Sequence, residues 1–169
     1  MTAPDYQIEI ADEQKLNFDH PPLIDVIGQI LDDHQIATAE ISLAVVDDPT
    51  IRRLNVQYLQ HDYETDVISF VLDWDEDQQH LTGQLIVSTE TALRVAKEVG
   101  SSLEEELLLY VIHGTLHLVG YDDKEPADAQ VMRENEKRYL QRAGKRHRGF
   151  ESDASLHDPK LPSGGRQDR

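Results

Sequence analysis

The sequence predicts an α+β protein: one domain with a mixed four-stranded sheet packed against about five helices. Three observations lead there. Apolar residues recur with period two in some segments and near 3.6 in others, in the order strand, helix, strand, helix, strand, strand, then three helices. No glycine-rich phosphate loop follows any strand, which separates the chain from the dinucleotide-binding α/β folds. At 169 residues there is room for one domain with a sizeable core, and no internal repeat is visible.

Tyr6-Gln7-Ile8-Glu9-Ile10 alternates polar and apolar side chains, as an opening strand does. Pro21-Pro22 suits the first turn of a helix, and Leu23, Ile24, Val26, Ile27, Ile30 and Leu31 give that helix a broad apolar face. Ile41, Leu43 and Val45 alternate along the second strand, and Asp47-Asp48-Pro49 reads as a cap before a short helix from about Thr50 to Tyr58. Val67, Ile68, Phe70 and Val71 belong to a third strand and Leu85-Ile86-Val87 to a fourth. The acidic, polar stretch from Asp73 to Gln79 between them is expected to be the long loop. Ser88 is placed to cap a helix carrying Ala92, Leu93, Ala96 and Val99, which stops near Gly100. Ser102-Leu103-Glu104-Glu105 is a capping box, serine followed three residues later by glutamate. Leu107, Leu108, Val111 and Ile112 make the helix it opens apolar enough to sit in the core. A last helix begins at Pro126, carries Val131, Met132, Tyr139 and Leu140, and ends near Gly144. Residues 1–150 are read as the folded domain. Residues 151–169, polar and without an apolar period, are read as a disordered tail.

The chain has no cysteine, so disulfides, thiolate metal ligands and cysteine nucleophiles are excluded. Met1-Thr2-Ala3-Pro4-Asp5 lacks the basic start and apolar run of a signal peptide, and no apolar stretch approaches a membrane span. A cytoplasmic protein with no membrane partner is expected. The net charge of −17 is uneven: 9 Lys and Arg stand against 29 Asp and Glu up to Gln141, and 7 against 4 from Arg142 onward. Such an acidic body repels phosphate backbones at long range. Passive nucleic-acid binding is therefore disfavoured and no DNA partner is expected; contact with RNA must rest on a local basic patch or a docked partner.

One stretch organises the chemistry: His113-Gly114-Thr115-Leu116-His117-Leu118-Val119-Gly120-Tyr121-Asp122-Asp123. Side chains four apart on a helix stack on one face, so the two imidazoles converge. Gly120 can take the left-handed conformation that ends a helix, and Asp123 can then swing its carboxylate back. Two neutral imidazoles and one carboxylate, with room for water, are the donors of a catalytic zinc site, which places a metal site on the central buried helix. The plain alternative is a helix with two ordinary histidines before an acidic turn. The spacing His-x3-His-x2-Gly-x2-Asp resembles the longer zinc peptidase signature with its glycine turn and third ligand. Those enzymes place a glutamate directly after the first histidine as general base, whereas Gly114 can abstract no proton. Peptide hydrolysis is the weaker reading.

The stretch more closely resembles the YbeY family of bacterial endoribonucleases, the rRNA maturation factors, with the signature H-G-x-L-H-L-x-G-Y-D-H. Only the last ligand differs, and aspartate is a competent zinc ligand. Leu54-Asn55-x-x-Tyr58 and Thr65-Asp66-Val67-Ile68-Ser69-Phe70 are similar to the family's L-N-x-x-Y-R and T-D-V-L-S-F-P. Gly83 to Ser88, followed by Glu90-Thr91-Ala92, is similar to its G-D-I-x-I-S and E-T-A. The resemblance spans roughly residues 6 to 142. It implies the family's fold and one zinc ion per chain on His113, His117 and Asp123. It further implies a single-strand-specific, zinc-dependent endoribonuclease acting in 16S rRNA 3′ end maturation and ribosome quality control, with ribosomal RNA and the small ribosomal subunit as partners.

The departures have consequences. Leu59 stands where the family has a basic residue, which removes a phosphate or transition-state contact, and the imidazole of His61 is a poor substitute for a guanidinium fork. Val71 replaces a proline and Gln84 an aspartate. Asp123 in place of histidine adds negative charge, which lowers the Lewis acidity of a bound metal and bears on which metal is preferred. Arg52 and Arg53 are candidate RNA contacts, or equally a solvated pair on a surface helix. Asp66 and Ser69 either line the site or satisfy a strand end. Tyr121 and Asp122 fix the turn that presents Asp123, unless Asp122 accepts from a histidine N–H. The cluster from Arg142 to Arg148 is either an rRNA contact or a basic helix end. No residue is identified as the catalytic base. The loss at Leu59 and the acidic body also motivate a second hypothesis, a non-catalytic ribosome assembly factor whose metal is structural.

Overall fold

The structure is a computed structural model that describes residues 5–59 and 67–145, with only the backbone of Leu59. His61, Thr65, Asp66, the Arg146–Arg148 end of the basic cluster and the expected tail lie outside the described residues. The element order is β1 (Asp5–Asp12), α1 (Pro21–Asp33), β2 (Thr38–Val46), α2 (Asp48–Leu59), β3 (Val67–Asp75), β4 (His80–Ser88), α3 (Thr89–Val99), α4 (Leu103–Leu118) and α5 (Pro126–Arg142). The four strands form one mixed sheet in the order β1-β2-β4-β3. Helix α1 is the crossover that makes β1 and β2 parallel, while the tight turn between β3 and β4 makes that pair antiparallel.

The sheet's two faces are read directly from residue alternation. Ile41, Leu43, Val45, Val67, Leu81, Leu85 and Val87 join the main core with α1, α4 and α5. Val46, Ile68 and Ile86, on the opposite side of the pleat, pack with Ile51 and Leu54 of α2 in a smaller cluster. Helix α4 is buried without a break from Glu106 to Leu116, as its apolar sequence requires. Its capping box is formed: Ser102 Oγ accepts from Glu105 N–H at 3.1 Å, and the Glu105 carboxylate accepts from Ser102 N–H at 3.1 Å. Helix α2 starts at Asp48, two residues before the expected Thr50, because Asp47 Oδ1 accepts from Thr50 N–H at 3.0 Å and Pro49 fits the first turn.

The stretch from Asp73 to Gln79 is not a long loop. Asp73, Trp74 and Asp75 continue β3 and pair with Thr82, Leu81 and His80, leaving only residues 76–79 as the turn. Polar composition misleads here because β3 is an edge strand: its ladder bonds to β4 while its side chains stay in water. A bulge between Val71 and Asp73 inserts Leu72 as an extra residue. In a regular strand Val71 and Trp74 would point to opposite faces. The bulge sets them opposite Gly83 and Leu81, which share a face, so Trp74 turns to the α4 side and Asp73 away from it.

Helix α5 is fastened to the end of α1 by a polar clasp. Tyr139 donates its hydroxyl hydrogen to Asp33 Oδ2 at 2.7 Å, and Arg142 Nη1 donates to the same oxygen at 2.6 Å. Burial and the neighbouring Asp33 carboxylate push the Tyr139 hydroxyl up to about 12, so it remains a donor at neutral pH. The clasp holds in place the helix turn that carries Glu136.

Candidate metal centre

Helix α4 ends in a Schellman motif. Gly120 N–H bonds His117 O at 3.1 Å, Tyr121 N–H bonds Leu116 O at 3.0 Å, and Gly120 has φ +108°, where a side chain would be strained. The motif reverses the chain directly after His117. Tyr121 is then anchored by His34 at the end of α1. His34 Nδ1 bonds Ile30 O at 2.7 Å, and its Nε2 meets the Tyr121 hydroxyl at 2.9 Å. Asp122 Oδ1 accepts from Asp123 N–H at 2.7 Å, which tightens the turn that aims Asp123. Tyr121 and Asp122 therefore shape the turn.

The result is a compact donor group. His113 Nε2 and His117 Nε2 are 3.1 Å apart. Asp123 Oδ2 lies 3.4 Å from His113 Nε2, and Asp123 Oδ1 lies 3.8 Å from His117 Nε2. Around a tetrahedral ion with ligand bonds of about 2.0–2.2 Å, neighbouring ligand atoms sit about 3.3–3.5 Å apart, so the three donors are spaced to share one ion. Side-chain exposure rises from 2% at His113 to 9% at His117 and 17% at Asp123, so solvent reaches the group from the Asp123 side.

The sequence reading missed a fourth member. Glu136 of α5 is 2% exposed, and its Oε2 lies 2.5 Å from His113 Nδ1. A carboxylate at that nitrogen fixes the proton on Nδ1 and leaves the Nε2 lone pair for a ligand bond. It also gives two neutral imidazoles two nearby carboxylates, the charge balance a divalent cation asks for. The signal was present: Met132, Glu136, Tyr139 and Leu140 form one buried stripe of α5, and a glutamate in such a stripe needs a buried partner. Glu136→Gln should weaken metal binding about 10- to 100-fold, read by competition with a chromogenic chelator. Unchanged affinity would remove Glu136 from the site.

The other candidates separate in space. Ser69 of β3 is half-buried, and its Cβ lies 3.9 Å from where a Cβ on Gly114 would stand, so it faces α4 beside the histidine turn. Arg52 and Arg53 are exposed on α2, across the sheet from α4. With Asp48, Val56, Gln57 and Glu90 they line an open cleft of about 670 Å³.

The model of the family described as Endoribonuclease YbeY matches residues 7–144 of this chain. The chain belongs to the YbeY family. The curated Endoribonuclease YbeY of Salinibacter ruber is 41% identical over 121 residues, 68% of this chain and 77% of that protein. The Endoribonuclease YbeY of Protochlamydia amoebophila is 34% identical over 130 residues, 76% of this chain and 87% of that one. Among solved structures, that of TM1509 from Thermotoga maritima, determined in solution, superposes with a TM-score of 0.53 at 26% identity, covering 93% of this chain and 99% of that one. The α+β architecture with its mixed four-stranded sheet is thus the family's, and among the described residues no helix is long and apolar enough to cross a membrane. The YbeY match covers every element that builds the donor group, from His34 to Tyr139.

Proposed function

We propose that this YbeY-family chain is a zinc-dependent, single-strand-specific endoribonuclease. It acts in the cytoplasm in 16S rRNA 3′ end maturation and ribosome quality control, with ribosomal RNA and the small subunit as partners. The observation that supports this reading is the convergence of His113, His117 and Asp123 within 4.8 Å, in a chain matched by the endoribonuclease family over residues 7–144. A nitrogen and oxygen donor set at tetrahedral spacing suits zinc. When bound, the ion supplies Lewis acidity toward a phosphate oxygen or a water.

The chain's own residues do the rest. Glu136 holds the His113 ring and its Nδ1 proton, and the Gly120 turn with Tyr121 and Asp122 aims Asp123. Arg52 and Arg53 are proposed to hold a flanking stretch of RNA by its phosphates, away from the scissile bond, because they lie across the sheet.

The test is cleavage of a single-stranded RNA by purified protein as isolated, after chelation, and after zinc is restored, with metal content read by mass spectrometry. Cleavage should vanish with the metal and return with zinc. Bound metal without cleavage in any arm would favour an assembly factor with a structural ion, the reading that Leu59 and the acidic body support. Turnover of a peptide instead of RNA would favour the zinc peptidase.

A further inference from the structure

Beyond the end of α4 lies a groove of about 460 Å³, walled by His34, Ile36, Val71, Trp74, Leu81 and Leu118. That volume is within the range of about 300–1,000 Å³ typical of small-ligand sites. Gln79 of the β3–β4 turn, Val119 and Gly120 complete it, so the groove adjoins the turn that follows His117. Gly120, whose N–H bonds the His117 carbonyl at 3.1 Å, ties the groove to the backbone of the histidine turn. Three features of the groove bear on what it receives.

The first is the bulge in β3. By inserting Leu72 it brings Trp74 onto the same face as Val71, and it turns Asp73 toward the other side of the sheet. Trp74 is 41% exposed and Val71 51% exposed, so an aromatic plane and an aliphatic neighbour are left open to solvent at the groove's edge. The second is charge. The chain has 33 Asp and Glu, yet among the described residues none of the groove's lining is acidic. The third is rigidity. His34 is held at both ring nitrogens, by Ile30 O and the Tyr121 hydroxyl. The Leu118 side chain fills the space a Cβ on Gly83 would occupy, 2.9 Å away. The groove is preformed.

We infer that this groove binds one unstacked base of a single-stranded RNA, with Trp74 as its stacking platform, next to the nucleotide whose phosphate meets the His–Asp group. The identity of the occupant rests on the endoribonuclease reading; the groove itself does not. Base stacking on an aromatic ring is tolerant of sequence and does not depend on charge. A chain of net charge −17 gains little from long-range phosphate attraction, so stacking supplies affinity that the body's charge does not. A base paired in a duplex cannot enter, which gives single-strand preference a structural cause.

Trp74 is the chain's single tryptophan, so its emission reports on the groove alone. The experiment titrates the full chain carrying His117→Ala, to prevent cleavage, with a short oligoadenylate, and repeats it with the same strand in a duplex. The single strand should quench Trp74 emission to saturation and the duplex should not. In a parallel anisotropy titration with labelled oligoadenylate, Trp74→Ala should bind about 5- to 100-fold more weakly, while Trp74→Phe keeps most of the affinity. RNA bound or cleaved with no change in emission and no effect of Trp74→Ala would overturn the groove and leave the nuclease reading standing. Quenching by RNA that the wild-type, zinc-loaded chain does not cut would sustain the groove and sink the nuclease. Emission that shifts with protein concentration in the absence of RNA would assign the face to self-association and overturn the inference.

Discussion

His117→Ala should abolish RNA cleavage and metal retention together while leaving the fold nearly as stable as that of the metal-free wild type. The reasoning starts from where the donors sit. His117 and Asp123 lie at the open end of α4, whereas the stretch from Glu106 to Leu116 is already buried among apolar side chains of the sheet, α1 and α5. A structural zinc site holds together a chain that has too little core of its own. This chain has that core, so it folds without the ion, and a bound metal adds only its binding free energy. Removing one of three ligands leaves a pair that cannot hold an ion against a chelator, and cleavage should drop to background. Against metal-free wild type the thermal midpoint should fall by no more than about 2–4 °C, the equivalent of about 1 kcal/mol for a domain of this size. Circular dichroism melts beside RNA cleavage decide the matter. A midpoint that collapses on chelation of the wild type would mean that the ion holds the fold, and would move the weight to the assembly-factor reading.

The local grammar of the chain was legible because local physics writes it. Ser88, Ser102 with Glu105, Gly100, Gly120 and Gly144 mark helix ends by hydrogen bonds or positive φ that depend only on near neighbours. The pair His113 and His117 follows from helix pitch alone. What was missed depends on distant partners. Glu136 is 23 residues from His113, and only the docking of α5 on α4 joins them. The continuation of β3 through Asp73, Trp74 and Asp75 is decided by pairing with β4, which side-chain polarity does not report. The anchoring of Tyr121 by His34 crosses 87 residues and has no local signature. The missing peptidase base shows both sides. Gly114 could be seen in the sequence, but the reason for a glycine there could not.

That reason yields the second large effect. Successive helix residues turn by about 100°, so the position after His113 faces the sheet and not the donor group. A Cβ on Gly114 would come 2.8 Å from Leu85 Cδ2 and 2.9 Å from Val67 Cγ2, both in fully buried side chains. Glycine is therefore what lets the buried helix approach β3 and β4 closely. Gly114→Ala adds a methyl to that contact. Overpacking costs about 1–3 kcal/mol, and the better helix propensity of alanine returns about 1 kcal/mol, so a net loss of about 1 kcal/mol is expected. Gly114→Glu, the change that would copy the zinc peptidase helix, adds a longer chain and drives a carboxylate into the apolar layer between helix and sheet. Burying an unpaired charge costs several kcal/mol more, enough to consume much of a typical stability of about 5–15 kcal/mol. The variant should be insoluble or molten and show no peptidase activity. Melting curves of the two variants check this: Gly114→Ala a few degrees below wild type, Gly114→Glu without a cooperative transition. A Gly114→Glu protein that melts like wild type would show that the position faces open space, and the close contact of helix and sheet inferred here would fall with it.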